Sequence, residues 1–460
     1  MVAHIIDSKY LSKNWSCPEI SDIFSDESRL SYWLKIEAAL ASAQGQLGQI
    51  PADAALHIKE AAKFENIDLQ KYDEEAQSTG HILMPMIRCL QSACPARTGE
   101  WIHFGATTQD IVDTGNILQM KDAYKYIVSQ TLILEKAILG KAEKYKYAVM
   151  AGRTHAQQAS PITMGFKFAT WAAEIRRDIE RLKQLPERVF FLSLHGAVGT
   201  QAALGEKGPE ILKIMAAELG LYVPPICWAT SRDGIAEFLT VLGILSGTLG
   251  RIANEILAES TTEIGELREP MGRKTVGSST MPHKRNAGVS QSTVAQSRVV
   301  QTNALLGMLG QISEHERDLR SWRTEMHHIP ESCVLVGHML AAMNKVIAGL
   351  EVDEKSLKRN LDYLGGLLLS EAVMFALAEK MGKQTAHELL RELTLFSHDD
   401  LTFIERLHAN EEVKKCLSDE EIDAIFDYSK FIGRAPQIVD EVLEYCQEAA
   451  KTDNKFSFIS

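Results

Sequence analysis

The sequence predicts an all-α protein, an elongated bundle of long helices flanked by smaller helical domains, and three observations carry that reading. Apolar residues recur at helical spacing over stretches longer than an ordinary globular helix. Strand-forming runs are scarce, and the clearest of them, Tyr222-Val223-Pro224-Pro225-Ile226, is broken by proline. The chain has 460 residues, 45% of them apolar, which is enough for a large core or for two or three domains on one scaffold.

Taken in order, residues 18–48 place Ile20, Phe24, Leu30, Trp33, Leu34, Ile36, Leu40 and Leu47 at helical spacing, with Asp26 as a candidate cap and Pro51 as the stop. A second helix is expected over 53–64. With the mixed stretch Gly80-His81-Ile82-Leu83-Met84-Pro85, these make a small helical domain, residues 1–110. From Asp110 the pattern lengthens through Ile111, Leu118, Tyr124, Ile127, Leu134 and Ile138, and matching partners follow at 162–185, 235–267, 289–312 and 332–350. These five define a central domain, residues 111–352. At 1.5 Å rise, helices of about 30 residues make a bundle about 45 Å long. In 235–267, Gly243, Gly247 and Gly250 leave little side-chain bulk, so a neighbouring backbone can come close. Shorter helices at 367–380 and 385–395 open a third domain, residues 353–460. One chain buries only part of the apolar surface of such long helices, which favours oligomerisation.

A formal charge of -12 and a pI near 5.7 argue against nucleic-acid and anionic-membrane partners, which require a basic face. No run of about 18 uninterrupted apolar residues is present to span a bilayer. Met1 to Tyr10 has no apolar core of signal-peptide length, and the seven cysteines are scattered without metal-ligand spacing. The expected compartment is the cytoplasm.

The stretch richest in chemistry is Gly277-Ser278-Ser279-Thr280-Met281-Pro282-His283-Lys284-Arg285-Asn286, a polar loop between two long helices. Gly277 permits an unusual backbone there. A serine serves as a base only where cations or backbone amides stabilise its alkoxide. Lys284 and the amino end of a helix starting near Val289 are the candidate sources. A solvated basic turn with two serines has the same residues. Similarly, His103 to Thr114 reads either as a helix cap built on Thr107 or Thr108, or as a carboxylate site made of their hydroxyls and the helix amides. In Gly152-Arg153-Thr154-His155-Ala156-Gln157-Gln158, between two long helices, His155 suits proton transfer and Arg153 an anion, although a satisfied loop histidine is equally ordinary.

The loop resembles the signature of the fumarase/aspartase, or fumarate lyase, superfamily, Gly-Ser-Ser-x-Met-Pro-x-Lys-x-Asn-Pro, departing from it at Ala287. That resemblance implies that Ser278 is the base removing a Cβ proton and that Lys284 and Asn286 hold a substrate carboxylate. The 103–114 block resembles a second family motif with Thr108 in place of serine, implying carboxylate binding by Thr107 and Thr108. The Gly-Arg-Thr-His block implies that His155 is the general acid. Gly196 to Gln201, Ser231-Arg232-Asp233 and Glu314 to Arg317 resemble segments shared by adenylosuccinate lyases and 3-carboxy-cis,cis-muconate cycloisomerases, and add Gln201 and Arg232 as substrate contacts. His81 after Gly80 resembles a second active-site histidine of adenylosuccinate lyases; a helix-surface histidine is the alternative.

Within that branch, Asn14-Trp15-Ser16 stands where adenylosuccinate lyases carry Arg-Tyr-Ser for a phosphate, with Arg29 and Arg317 as candidate substitutes. Trp228 stands where those lyases have glutamine, and Trp322 to Glu325 resembles the cycloisomerase Trp-His-Ala-Glu. The expectation is an enzyme without metal or organic cofactor, nearest to the cycloisomerase, with adenylosuccinate lyase second. It would act on a small polycarboxylate or succinylated substrate as a homotetramer with shared sites. Superfamily members also serve as inactive structural proteins, and a purely helical scaffold would have no anion site. The joint presence of Ser278, Lys284, Asn286 and His155 favours catalysis.

Overall fold

The computed structural model describes residues 4–395, 401–453 and 456. Its first long helix, α1 (Asp26–Gln46), starts one residue earlier than the sequence suggests, because the Ser25 hydroxyl, not Asp26, accepts the backbone N–H of Ser28 at 3.2 Å. The five expected long helices are present as α2 (Thr108–Lys144), α3 (Met164–Lys183), α4 (Asp233–Glu259), α5 (Gly288–Leu309) and α6 (Leu319–Gly349). They run from 20 to 37 residues, or about 30 to about 55 Å. Helix α6 begins well before 332 because Pro330 lies inside it instead of preceding it. The short helix α7 (Glu354–Asp362) and the terminal helix α8 (Ala435–Ala450) follow.

Helices α2 and α6 run parallel: Trp322 meets Asp113 near their amino ends, and Lys141 donates to the Leu350 carbonyl at 2.8 Å near their carboxyl ends. Helices α4 and α5 run antiparallel and come close, the approach that the small-residue pattern anticipates. A Cβ on Gly243 would lie 3.0 Å from that of Ala304, and one on Gly250 would come 2.6 Å from the Ser297 hydroxyl. One hydrophobic cluster runs from Ile20 and α1 through the bundle to Leu357 and takes in Val439 of α8. A second gathers Val373, Leu377, Leu390, Phe403, Leu407 and Ile422. Helices α4 and α6 are each long and apolar enough to cross a membrane. Their most apolar stretches are 67% and 61% buried against the rest of the protein.

The sequence reading missed a β-hairpin. Strands β1 (Val149–Thr154) and β2 (Gln157–Thr163) pair antiparallel between α2 and α3, with a bulge between Ala151 and Arg153. A second two-stranded pair, β3 (Leu267–Arg268) with β4 (Glu351–Val352), ties the segment after α4 to the end of α6.

Candidate active site

The 277–287 loop is closed by its own polar groups. Asn286 Nδ2 donates to the Gly277 carbonyl at 2.7 Å, and Arg285 pairs with Glu351 at 3.0 Å while donating to the Glu269 carbonyl. Gly277 is needed for a different reason from the one anticipated. Its φ is not left-handed, but a Cβ there would come within 2.3 Å of the Lys284 carbonyl oxygen where the two arms of the loop cross. Ser278 Oγ accepts N–H bonds from Thr280 at 3.3 Å and Met281 at 3.0 Å. Two amide dipoles aimed at this oxygen lower the cost of an alkoxide, as a serine base requires. The amino end of α5 is not part of that field, because the Glu269 carboxylate occupies it, accepting from Val289 N and from Ser290 N at 2.6 Å. Lys284 pairs with no carboxylate among the described residues, leaving an exposed cation in the same loop as the serine.

His155 stands at the tip of the β1–β2 hairpin. With Thr154 opposite Gln157, His155 and Ala156 form a two-residue turn with φ of 50° and 62°. Such turns favour Asn-Gly because both positions are left-handed; His-Ala there stores strain, the kind that gathers at functional sites. Arg153 is not available to an anion, since it is held by Glu266 at 2.7 Å and Glu259 at 3.4 Å.

The remaining residues gather at the amino end of α2. Thr107 is the N-cap, and its N–H donates to Asp110 at 3.0 Å. Asp110, which sequence reasoning passed over as a site residue, is buried. It also accepts from the Ser193 hydroxyl and the backbone N–H of His195 and Gly196, so it anchors the 193–201 loop against the cap. Arg317 bridges the same parts, donating to the Thr107 hydroxyl at 2.9 Å and the Ala197 carbonyl at 2.7 Å.

His81 is neither a free surface histidine nor loose. Its Nδ1 accepts from Leu83 N and Met84 N, capping the helix Met84–Ala93, so the ring proton sits on Nε2, 3.4 Å from the Thr108 hydroxyl. Gln201, at φ 55°, donates to the Leu194 carbonyl and stiffens its loop. Arg232 departs from its expected role. It is 3% exposed, donates to Asp113 at 2.9 and 3.1 Å and to Glu325 at 2.8 Å, and lies under the Trp228 ring, so it braces α2 against α6 with no donor face turned outward. A cavity of about 410 Å³ opens on this side, lined by Arg29, Trp33, Tyr72, Ile82, Val112 and Met326.

These groups therefore sit in two places. Thr107, Thr108, His81, Gln201 and Arg232 lie at the amino end of α2; His155, Ser278, Lys284 and Asn286 lie toward the carboxyl end of this 37-residue helix, which is about 55 Å long.

A family model described as "Lyase" matches residues 13–301, and one described as "Adenylosuccinate lyase C-terminus" matches residues 366–442. The chain belongs to the fumarate lyase superfamily. It is 41% identical to an N-acetyl-S-(2-succino)cysteine lyase of Enterococcus italicus, over 96% of this chain and 97% of that protein. It is 40% identical to an adenylosuccinate lyase of Methanocaldococcus jannaschii, over 96% of each. Among solved structures, the 3-carboxy-cis,cis-muconate lactonizing enzyme of Pseudomonas putida superposes with a TM-score of 0.90 at 32% identity, covering 96% of this chain and 100% of that one. The protein is thus an enzyme of this superfamily, in the branch that holds both adenylosuccinate lyases and muconate cycloisomerases. The superfamily's elongated helical bundle is the architecture seen here.

Proposed function

We propose that the enzyme cleaves a succinylated small molecule by anti β-elimination, releasing fumarate, and that the bond broken is carbon–sulfur. Ser278 takes the Cβ proton; the electron pair moves into the adjacent carboxylate to give an aci-carboxylate; the Cα–heteroatom bond then breaks as the double bond forms. Lys284 and Asn286, with Thr107 and Thr108, hold the charge that develops, and His155 protonates the leaving atom. Gln201 and His81 contribute to the pocket and Arg232 braces it. Within one chain Thr107 and Thr108 lie at the opposite end of α2 from Ser278, His155, Lys284 and Asn286, which supports a homotetramer in which several chains build each site. A cytoplasmic location fits the free cysteines.

The observation that carries the choice of substrate is the state of the two arginines that could replace a missing phosphate ligand. Arg29 is taken by Asp26 at 2.8 Å, beside Asp73 in the same cavity wall, and Arg317 by Thr107 and two carbonyls. A phosphate dianion entering that cavity meets the carboxylates of Asp26, Asp73 and Glu325 against the one guanidinium of Arg29 in its lining, and burying it there is costly. A nucleotide leaving group is disfavoured, and the similarity to N-acetyl-S-(2-succino)cysteine lyases supports a thioether. This moves the reading from the cycloisomerase expected first. The test is a side-by-side assay of N-acetyl-S-(2-succino)cysteine, adenylosuccinate and 3-carboxymuconate. The thioether is expected to reach kcat/KM above about 10⁴ per molar per second and adenylosuccinate to fall below it. Efficient fumarate release from adenylosuccinate, or turnover of carboxymuconate alone, would overturn the proposal.

A further inference from the structure

Beneath the turn that carries His155 lies a buried set of charges that the elimination scheme leaves unused. Arg153 donates through both terminal nitrogens to the two oxygens of Glu266, at 3.0 and 2.7 Å, and through one of them to Glu259 at 3.4 Å. Glu266 is fully buried and also accepts from Asn360 Nδ2 of α7 at 2.6 Å. Glu259, 2% exposed near the end of α4, accepts from Lys167 of α3 at 2.7 Å on one oxygen; its other oxygen is buried without a partner among the described residues. Lys167 also pairs with Glu255.

Three carboxyls, Glu255, Glu259 and Glu266, thus face two cations, Lys167 and Arg153. The remaining charges nearby are already engaged: Arg251 with Glu174, and Arg359 with the Glu263 and Ile264 carbonyls. A buried charge without a partner is expensive, so the excess carboxyl is better protonated. Burial, with the Glu266 carboxylate beside it, pushes Glu259 up to about 8. Against the same burial, Arg153 holds Glu266 and Lys167 holds Glu255 below the ordinary range.

The hairpin tip needs such an anchor. Thr154 to Gln157 are all exposed, the two turn residues are strained, and Arg153 is the last side chain before them that reaches into the protein. We propose that Glu266 and Glu259 are positioning residues, which clamp Arg153 and through it the turn that presents His155, with a proton on Glu259 keeping the clamp neutral. The proposal rests on His155 being the general acid.

Its test compares wild type with Glu259→Gln and Glu266→Gln in the full-length protein, on the best substrate of the assay above, from about pH 6 to about pH 9. Glu259→Gln keeps the neutral form permanently. It is expected to match wild-type kcat within about twofold near pH 7 and to lack the alkaline fall that wild type shows near pH 8. Glu266→Gln removes the carboxylate from the Arg153 fork and is expected to lower kcat about tenfold with KM changed less than about threefold. Coincident alkaline limbs, or an unchanged kcat in Glu266→Gln, overturn the proposal. If Glu266→Gln does not fold, Arg153→Lys, which keeps the charge and loses the fork, is read in the same way.

A second measurement needs no substrate. A carboxyl whose folded value is raised from 4.5 to about 8 withdraws stability as pH rises between those values. Thermal unfolding should therefore show Glu259→Gln gaining on wild type from about pH 5 to about pH 8; a constant difference refutes the proton on Glu259. Retained turnover in Ser278→Ala would sink the elimination scheme and leave this thermal comparison as the judge of the cluster.

Discussion

Ser278 shows how a residue ambiguous in sequence becomes specific in space. A serine in a solvated basic turn would point its hydroxyl at water. Here Oγ accepts two backbone N–H bonds, and Lys284, without a carboxylate partner among the described residues, stands in the same loop. Those donors lower the cost of an alkoxide there, and the loop is independently closed by Asn286 and Arg285. Ser278→Ala is therefore expected to fold normally by circular dichroism and to lose at least about a hundredfold in kcat, the lower range for a general base. Wild-type turnover in a folded variant would remove Ser278 from the mechanism. Arg232 teaches the opposite lesson: an arginine that reads as a ligand in sequence spends both of its ion pairs, to Asp113 and Glu325, on bracing α2 and α6.

At the scale of elements, the proposed scheme places the chemistry on two connections, the β1–β2 hairpin and the 277–287 loop. The β1–β2 hairpin was illegible because its turn holds His155-Ala156 where glycine or asparagine would signal a hairpin, and because Pro161 inside β2 argues against a strand. Pro161 is tolerated because the sheet has two strands only, so its missing N–H can face away from the pairing. The 277–287 loop depends on Gly277, where an added methyl collides with the Lys284 carbonyl, a backbone atom that cannot swing aside. Gly277→Ala is expected to push the loop arms apart and to lower kcat/KM by about tenfold or more. The thermal midpoint should move by less than about 3 °C, because the loop is exposed and outside the core. Unchanged kinetics would mean that the loop adjusts without moving Ser278.

The whole molecule presents incomplete parts. Helix α5 exposes Leu305, Leu306, Met308 and Leu309 on a surface where a lone chain would keep polar groups, and buries Ser290, Thr293, Gln296 and Asn303 instead. That inversion fits a helix with a partner on both sides, and it agrees with the proposed tetramer. If sites join the Ser278 end of one chain to the Thr108 end of another, two crippled chains can repair each other. Ser278→Ala and Thr108→Val, co-refolded in equal amounts, should recover up to about a quarter of wild-type activity, because some sites then contain neither lesion. No recovery in tetramers of correct size by light scattering would place each site within a single chain.

The sequence by itself determined the class, the five long helices, the superfamily and the short blocks that carry its chemistry. Those rest on local periodicity and on contiguous residues, which one stretch of chain can encode. The tertiary structure alone decided what each polar side chain faces. Glu269 takes the helix end that was assigned to Ser278, and Glu266 takes the guanidinium that was assigned to an anion. Arg317 reaches Thr107 across 210 positions of chain. Those pairings join residues whose separation along the chain carries no periodic signal, and their outcome is set by which buried charges can be neutralised once the helices have packed.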